Sequence, residues 1–181
     1  MEIVIGIILV FIIIYILVKY NKLVKLKNKV KQSRSSIDVY LNQRFDLIPN
    51  LVECVKGYAN HEKEVFENVT KIRSEYLNTN KSLKKAEELN NSMNDILVIA
   101  ESYPELKASE QFLNLQKSLE KMESQLQAAR RIYNNSVTKY NTVVETVPTN
   151  LIAGIFGMKK EELFQIEEYK RENIDIGSEI K

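Results

Sequence analysis

The chain has a single cysteine, Cys54, and a single histidine, His61, among its 181 residues. One cysteine cannot form an internal disulfide, and its simplest interpretation is a core thiol. One histidine excludes metal sites that need two: His61-Glu62 begins like the zinc motif H-E-x-x-H, but the second ligand position holds Val65. A di-iron bundle likewise requires Glu-x-x-His on two helices. No metal or cofactor site is therefore predicted.

The sequence also lacks a recognisable nucleophilic site. Cys54 and His61 lie seven residues apart, but Gly57 and Asn60 should interrupt a helix between them, and no third orienting group is evident. With only five glycines and three prolines, the composition favours long helices over sheets. We therefore predict an all-α protein that is not an enzyme.

One long apolar run is present, formed by residues 3–18. At about 1.5 Å per helical residue, residues 1–20 reach roughly 30 Å, the hydrocarbon thickness of a bilayer. A cleaved signal peptide would need a basic segment before the run and small residues after it, and both are missing. A core helix that is apolar on all sides would need partners all round. The run predicts an uncleaved, single-pass anchor over residues 1–20.

Seven cations and no acid follow the run within residues 19–36: Lys19, Lys22, Lys25, Lys27, Lys29, Lys31 and Arg34. Cations near a span stay on the cytoplasmic side, which predicts an outside N-terminus and a cytoplasmic body. The six lysines are predicted to contact lipid headgroups. Without Glu2 and these cations, 19 basic and 23 acidic residues remain, and this acidic balance argues against nucleic-acid binding.

The first helix is predicted to continue from the anchor into the body as far as Tyr58. Apolar residues recur at steps of three, four and seven, which indicates one buried helical face. Pro49 lies inside this pattern and predicts a kink near residues 44–48, because proline removes a backbone donor and clashes with the preceding turn. Gly57 is the expected end signal, with Asn60 as the cap of the next helix.

Two further helical patterns follow. One covers residues 65–100 with a turn-like break at residues 78–82, and Tyr103-Pro104 ends it because the residue before a proline avoids helical geometry. The other follows an a/d heptad of coiled-coil type over residues 112–143. No period-two alternation indicates a sheet.

These patterns predict a transmembrane helix that continues into an antiparallel bundle of three to four long helices. The predicted divisions are an anchor over residues 1–20, a bundle over 21–147, short helical segments packing on it over 148–169, and a disordered tail over 170–181. An extended parallel coiled-coil dimer is the alternative architecture, and the turn signals count against it.

Arg44 falls at a seam position, seven residues after Ile37 and seven before Leu51. A buried guanidinium needs an acidic partner, and the candidates on other helices are Glu62, Glu101 and Glu123. Snorkelling to the bundle edge or solvation at the predicted kink are the alternatives.

The dipeptide Tyr-Asn occurs twice at a spacing of seven, as Tyr133-Asn134 and Tyr140-Asn141. Such residues can specify helix register through hydrogen bonds, and this structural role is the favoured interpretation. Alternatively, the four side chains line a ligand groove.

Taken in order, these motifs resemble the LemA family, whose pattern covers nearly the whole chain. The residues that carry the resemblance and are candidates for interaction are Arg44, Asp46, Pro49, Asn50, His61, Glu62, Arg73, Glu101, Tyr103, Pro104, Arg130, Tyr133, Asn134, Tyr140 and Asn141. The resemblance implies a single-pass protein of the bacterial inner membrane with a cytoplasmic helical bundle. It leaves the biochemical activity unspecified.

Two functions are carried forward. The leading hypothesis is a scaffold or adaptor at the inner face of the cytoplasmic membrane, with an unknown protein partner. Members of the LemA family encoded beside a membrane zinc metalloprotease make a membrane protease, or another membrane protein, a candidate partner by analogy. The alternative is a membrane-tethered sensor or small-ligand-binding module that uses the Tyr-Asn repeat.

The predicted topology can be tested with fusions. A reporter enzyme that is active only in the cytoplasm should be active when it is fused after Lys181, and a reporter that is active only outside the cytoplasm should be inactive there. Neutralising Lys19, Lys22, Lys25 and Lys27 should weaken that preference, because these charges set it. A body that external protease digests in intact, wall-stripped cells would contradict the orientation.

Overall fold

The computed structural model describes residues 1–59, 61–78 and 83–164. Over these residues the chain forms seven helices and no strand, which confirms the all-α prediction. The helices are α1 (Glu2–Phe45), α2 (Ile48–Lys56), α3 (Lys63–Asn78), α4 (Leu83–Glu101), α5 (Pro104–Lys107), α6 (Glu110–Glu145) and α7 (Thr149–Ile155). The described residues form two compact units: an anchor unit of residues 1–30 and 133–164, and a central unit of residues 31–132.

The central unit is built around α2, α3 and α4, which pack against one another. Their buried faces follow the helical period, and the residues with no exposed surface include Leu51, Val55, Val69, Tyr76, Leu89, Met93 and Ile96. Tyr76 also meets Phe45 of α1 edge to face, with 5.0 Å between ring centroids. Its hydroxyl lies 3.4 Å from the Asn42 side-chain oxygen and donates to it. A buried aromatic ring with a polar partner thus connects α3 to α1.

The first helix is broken rather than kinked, and the prediction of one helix as far as Tyr58 is wrong. α1 ends at Phe45, a turn follows, and α2 begins at Ile48. Pro49 lies in the first turn of α2, where its missing N–H costs no hydrogen bond, so the proline starts a new helix. Gly57 follows α2 with ordinary right-handed geometry at φ −61°. The predicted cap Asn60 lies outside the described residues, as do residues 79–82 of the break predicted at 78–82. Asn78, the first residue of that predicted break, is the last residue of α3.

Arg73 of α3 stabilises this break. Its Nε donates to the Phe45 carbonyl oxygen at 3.2 Å, and its Nη2 lies 3.4 Å from Asp46 Oδ1. The last carbonyls of a helix have no partner within that helix, and an arginine side chain can satisfy them. The end of α1 is therefore capped from another helix.

The anchor unit contains the apolar run. None of residues 1–19 is buried, and within the described chain one helix, which contains this run, is long and apolar enough to cross a membrane. Burial begins at Leu23 and continues at Val30, where the helix becomes amphipathic. The second half of α6 and the inner face of α7 supply further buried residues of this unit, among them Val137, Tyr140, Val144, Ile152 and Ala153.

The C-terminal part departs from the predicted helical segments. Of the helical segments predicted over residues 148–169, the described part, residues 148–164, contains one helix, α7, and residues 158–164 are not helical. The end of α7 shows why. Gly157 has φ +63°, its N–H donates to Gly154, and the Met158 N–H donates to Ala153. This is the hydrogen-bond pattern of a Schellman cap, which turns the chain away from the helix axis. Residues 165–181 lie outside the described chain.

The two glycines around this cap should respond to alanine with opposite signs. Gly157→Ala places a side chain in left-handed backbone and should destabilise the cap by about 1 kcal/mol. Gly154→Ala lies inside the helix with open space around its Cβ, and should stabilise α7 by about 0.5–1 kcal/mol. Amide hydrogen exchange across α7 measures both changes. Equal effects of the two substitutions would contradict the cap.

Removing residues 1–19 should leave a soluble, helical fragment that melts cooperatively, because no buried residue is lost. Tyr20 is kept because its ring contacts Phe156. Circular dichroism and a thermal melt check this. A fragment that is mostly coil would show that the body depends on the anchor or on a partner.

Candidate functional site

Arg44 is buried at the end of α1, with 8% of its surface exposed. Its Nη1 donates to the carboxylate of Glu123 on α6. Of the interpretations offered for Arg44, the structure therefore has the buried guanidinium with an acidic partner. The other two acids considered, Glu62 and Glu101, lie half-buried and exposed respectively. The ion pair joins α1 to α6 within the central unit.

Arg130 adds a second cation to this cluster. Burial lowers the pKa of Arg44, Glu123 opposes that shift, and the positive charge of Arg130 reinforces it. Burial also lowers the pKa of Arg130, against the attraction of Glu123 and Glu87. Both guanidinium groups stay charged at physiological pH, because arginine does not lose its proton in proteins. Two arginines therefore share Glu123, and Glu87 supplies the second negative charge.

Several of the remaining motif residues of the central unit lie where one helix ends and the next begins. Tyr103 is extended, Pro104 starts α5, and Leu106 is fully buried, so this motif forms the bend between α4 and α6. Asp46, Pro49, Asn50 and His61 are exposed. Within the described residues no group of three or more histidine, cysteine, aspartate or glutamate side chains could hold a metal.

Cys54 lies half-buried on α2. Burial raises the pKa of its thiol, with a partial opposing effect from a hydrogen bond to Ser109. A raised pKa reduces the thiolate fraction and hence the reactivity of the cysteine. The environment is that of a structural thiol.

An open groove of about 660 Å³ runs between α2 and α3. It is lined by Val52, Lys56, Lys63, Phe66, Glu67, Thr70, Lys71 and Ser74. A smaller hollow of about 300 Å³ shares Val52, Lys56 and Thr70 and extends to Pro49 and Arg73. The larger groove thus combines apolar side chains with three lysines and one glutamate.

In the anchor unit, the Tyr-Asn repeat of α6 binds a segment of the chain itself. We call residues 158–164 the strap. Asn141 Nδ2 donates to the Glu161 carbonyl at 2.8 Å, and the Glu161 N–H donates back to Asn141 Oδ1 at 2.9 Å. Asn134 repeats this arrangement with Phe164, at 3.0 and 2.8 Å. Each asparagine therefore satisfies both main-chain groups of one strap residue.

The spacing of these contacts follows from elementary geometry. Seven residues of helix, from Asn134 to Asn141, rise about 10.5 Å. Three residues of extended chain, from Glu161 to Phe164, cover about 10 Å. A helix carrying asparagine every seventh residue thus matches an extended peptide at every third residue, and the strap runs antiparallel to α6.

The two tyrosines complete the set. Tyr140 donates its hydroxyl to the Lys159 carbonyl at 3.0 Å, and Tyr133 donates to the Glu162 carbonyl at 2.9 Å. Burial raises the pKa of Tyr140, and the nearby Glu161 adds to the shift, so its hydroxyl keeps its proton and remains a donor. We call the four α6 residues Tyr133, Asn134, Tyr140 and Asn141 the amide ladder. It contacts the main chain of the strap, which explains why sequence reasoning found the ladder but missed its partner.

Substitutions at Arg44 test the ion pair. Arg44→Ala should destabilise the protein by about 3 kcal/mol, at the low end for a broken buried pair, because 31% of the Glu123 side chain is exposed to water. Arg44→Leu should cost less, since leucine refills the space. The exposed Arg34 of the same helix is the control, and Arg34→Ala should leave the thermal midpoint unchanged. If the Arg44→Ala variant has the same thermal midpoint as the parent protein, the ion pair does not stabilise the fold.

Leucine substitutions test the ladder. Asn134→Leu keeps the side-chain shape but removes two hydrogen bonds to Phe164, at a cost of about 2 kcal/mol. Amide exchange at Phe164 should accelerate roughly thirty-fold. Asn135→Leu, at the exposed neighbouring position, is the matched control and should change nothing. Equal exchange in both variants would contradict the bonding seen between Asn134 and the strap.

The profile of the LemA family matches residues 33–177. Protein LemA of Metamycoplasma hominis is 27% identical over 165 residues, covering 89% of this chain and 75% of that protein. Magnetosome protein MamQ 2 of Paramagnetospirillum magneticum is 24% identical over 179 residues, covering 83% of this chain and 66% of its own length. MamQ of Magnetospirillum gryphiswaldense is 24% identical over 185 residues, covering 86% and 68%. This chain belongs to the LemA family.

Proposed function

We propose that this chain is a membrane-anchored adaptor that binds a partner protein through the groove between α2 and α3. The observation that carries the proposal is the composition of that groove, in which Val52 and Phe66 lie among Lys56, Lys63 and Lys71, with Glu67 as the one acid. The anchor over residues 1–20 would tether the protein that carries this groove to the membrane. One transmembrane segment and one protein-binding surface are sufficient for an adaptor.

The charge of the groove indicates the chemistry of the partner. The chain beyond the juxtamembrane lysines carries more acids than bases, 23 against 19, so a groove with a net positive lining is a local exception. A segment with an apolar side chain flanked by aspartate or glutamate would fill the apolar part and meet the lysines. Complementary charge of this kind mainly provides specificity and speeds association.

We further propose that the groove faces the cytoplasm, at the inner face of a bacterial membrane. The support is the set of cations immediately after the apolar run, of which Lys22, Lys25 and Lys29 are exposed. The topology fusions described above test this part separately from the groove.

Site-specific crosslinking in the native membrane tests the adaptor function. A photoreactive residue at Ser74, in the groove, should give a discrete adduct, and one at the exposed Val98 of α4 should not. Lys71→Glu should abolish the adduct by reversing a groove charge. The exposed Lys117→Glu on α6 is the matched control and should leave it intact. The same adducts from both positions, or an adduct insensitive to Lys71, would refute the groove.

A membrane-tethered sensor remains the alternative hypothesis. It would use the amide ladder, whose groups are engaged by the strap, so a ligand would have to displace residues 159–164. A thermal-shift screen of the fragment that begins at Tyr20 separates the two functions. A small molecule that raises the melting temperature in the parent but not in Asn134→Leu would favour the sensor.

A further inference from the structure

The helix α7 has one buried and one exposed apolar face. Thr149, Ile152 and Ala153 are buried, whereas Leu151 and Ile155, one turn apart, are 66% and 78% exposed. Apolar side chains this exposed and this close together on one face indicate an interaction surface. We call Leu151, Ile155 and the adjoining Phe156 the α7 patch.

The patch lies beside the predicted end of the membrane span. The ring of Phe156, 48% exposed, packs on Tyr20 with 4.5 Å between centroids. Tyr20 is two residues past the apolar run, which corresponds to about 3 Å along the helix axis. Tyrosine is enriched at the boundary between hydrocarbon and headgroups. The C-terminal end of α7 is therefore located at the depth where the anchor leaves the bilayer.

The charges around this contact complement an anionic surface. Lys19 lies over the ring of Tyr15, 5.2 Å from its centroid, and Lys22 follows Tyr20. Lys159 is exposed just beyond the α7 cap. Lys160, also exposed, is paired with Glu145 at 2.6 Å and contributes less. Lysines near an anionic leaflet attract it by about 1 kcal/mol each.

We propose that α7 docks on the membrane surface that the anchor enters, with Leu151, Ile155 and Phe156 inserted at the boundary between headgroups and acyl chains. The patch is continuous with the membrane contact of α1 through the Tyr20–Phe156 pair. Helices of this kind lie in the interface with their apolar face about 5–10 Å deep. The chain thus has two membrane contacts, a span and a surface helix. This inference goes beyond the adaptor role and does not depend on it.

The absence of tryptophan from the chain provides a direct test. Ile155→Trp makes the patch the single site of tryptophan emission in the full-length protein. The variant is reconstituted into vesicles of phosphatidylcholine and phosphatidylglycerol, with and without dibrominated phosphatidylcholine. Emission from the Ile155→Trp variant should be blue-shifted relative to free tryptophan and lost when bromine is present. Bromines near the carbonyl end of the acyl chain should quench it more than bromines placed deeply.

Val98→Trp is the matched control, because Val98 is also an exposed apolar residue, 64% exposed, but belongs to the central unit. Its emission should be red-shifted and unaffected by bromine. Leu151→Trp, one turn before Ile155, should show the same quenching by bromine. It replaces Ile155→Trp in the test if that variant does not fold.

Two results would overturn the proposal. Equal bromine quenching in Ile155→Trp and Val98→Trp would show no specific contact of α7 with lipid. A blue shift in Ile155→Trp in detergent and vesicles alike, without quenching by bromine, would show that a second copy or another protein covers the patch. Loss of the Ser74 adduct in the crosslinking experiment would leave these measurements unaffected.

Discussion

In hydrocarbon, each backbone N–H and C=O group needs a partner within the protein, and an unbroken helix provides all of them. In α1 this helical hydrogen bonding continues well past the apolar run, to Phe45. The same helix then supplies Leu23 and Val30 to the anchor unit, and Ile37 and Leu41 to the central unit. The change from an all-apolar surface to a single apolar face therefore occurs without a loop. Both units take part of their core from the helix that begins with the apolar run.

The polar residues of the family motifs serve the ends of these elements. Arg73 caps the last carbonyl of α1, Asn134 and Asn141 satisfy the strap, and Arg44 pairs with Glu123 between α1 and α6. Arg73 and the two asparagines bond to main-chain groups that have no partner in regular secondary structure. The Arg44–Glu123 pair instead joins two side chains. Polar residues on a helix surface can thus act in the fold itself.

Much of the architecture could be predicted from the sequence, because it depends on periodicity. The anchor, the long α6 and the stop at Tyr103-Pro104 follow from spacing and from proline sterics. The break after Phe45 was not predicted, because a proline in a helical pattern is compatible with either a kink or a new first turn. The choice depends on Arg73, which is distant in sequence. The strap was missed because its recognition uses main-chain groups, which have no residue signature. The α7 patch was missed because exposure is a property of packing.

The amide ladder also determines how residues 159–164 can vary among related chains. The contacts reach the peptide groups of Lys159, Glu161, Glu162 and Phe164, and are indifferent to the side chains. Substitutions there can accumulate without loosening the attachment, and new surface properties can evolve on a fixed backbone. Proline is the exception at positions 161 and 164, because both N–H groups are donated to asparagine. Asn134 and Asn141 thus fix the backbone of this segment and place little constraint on its side chains.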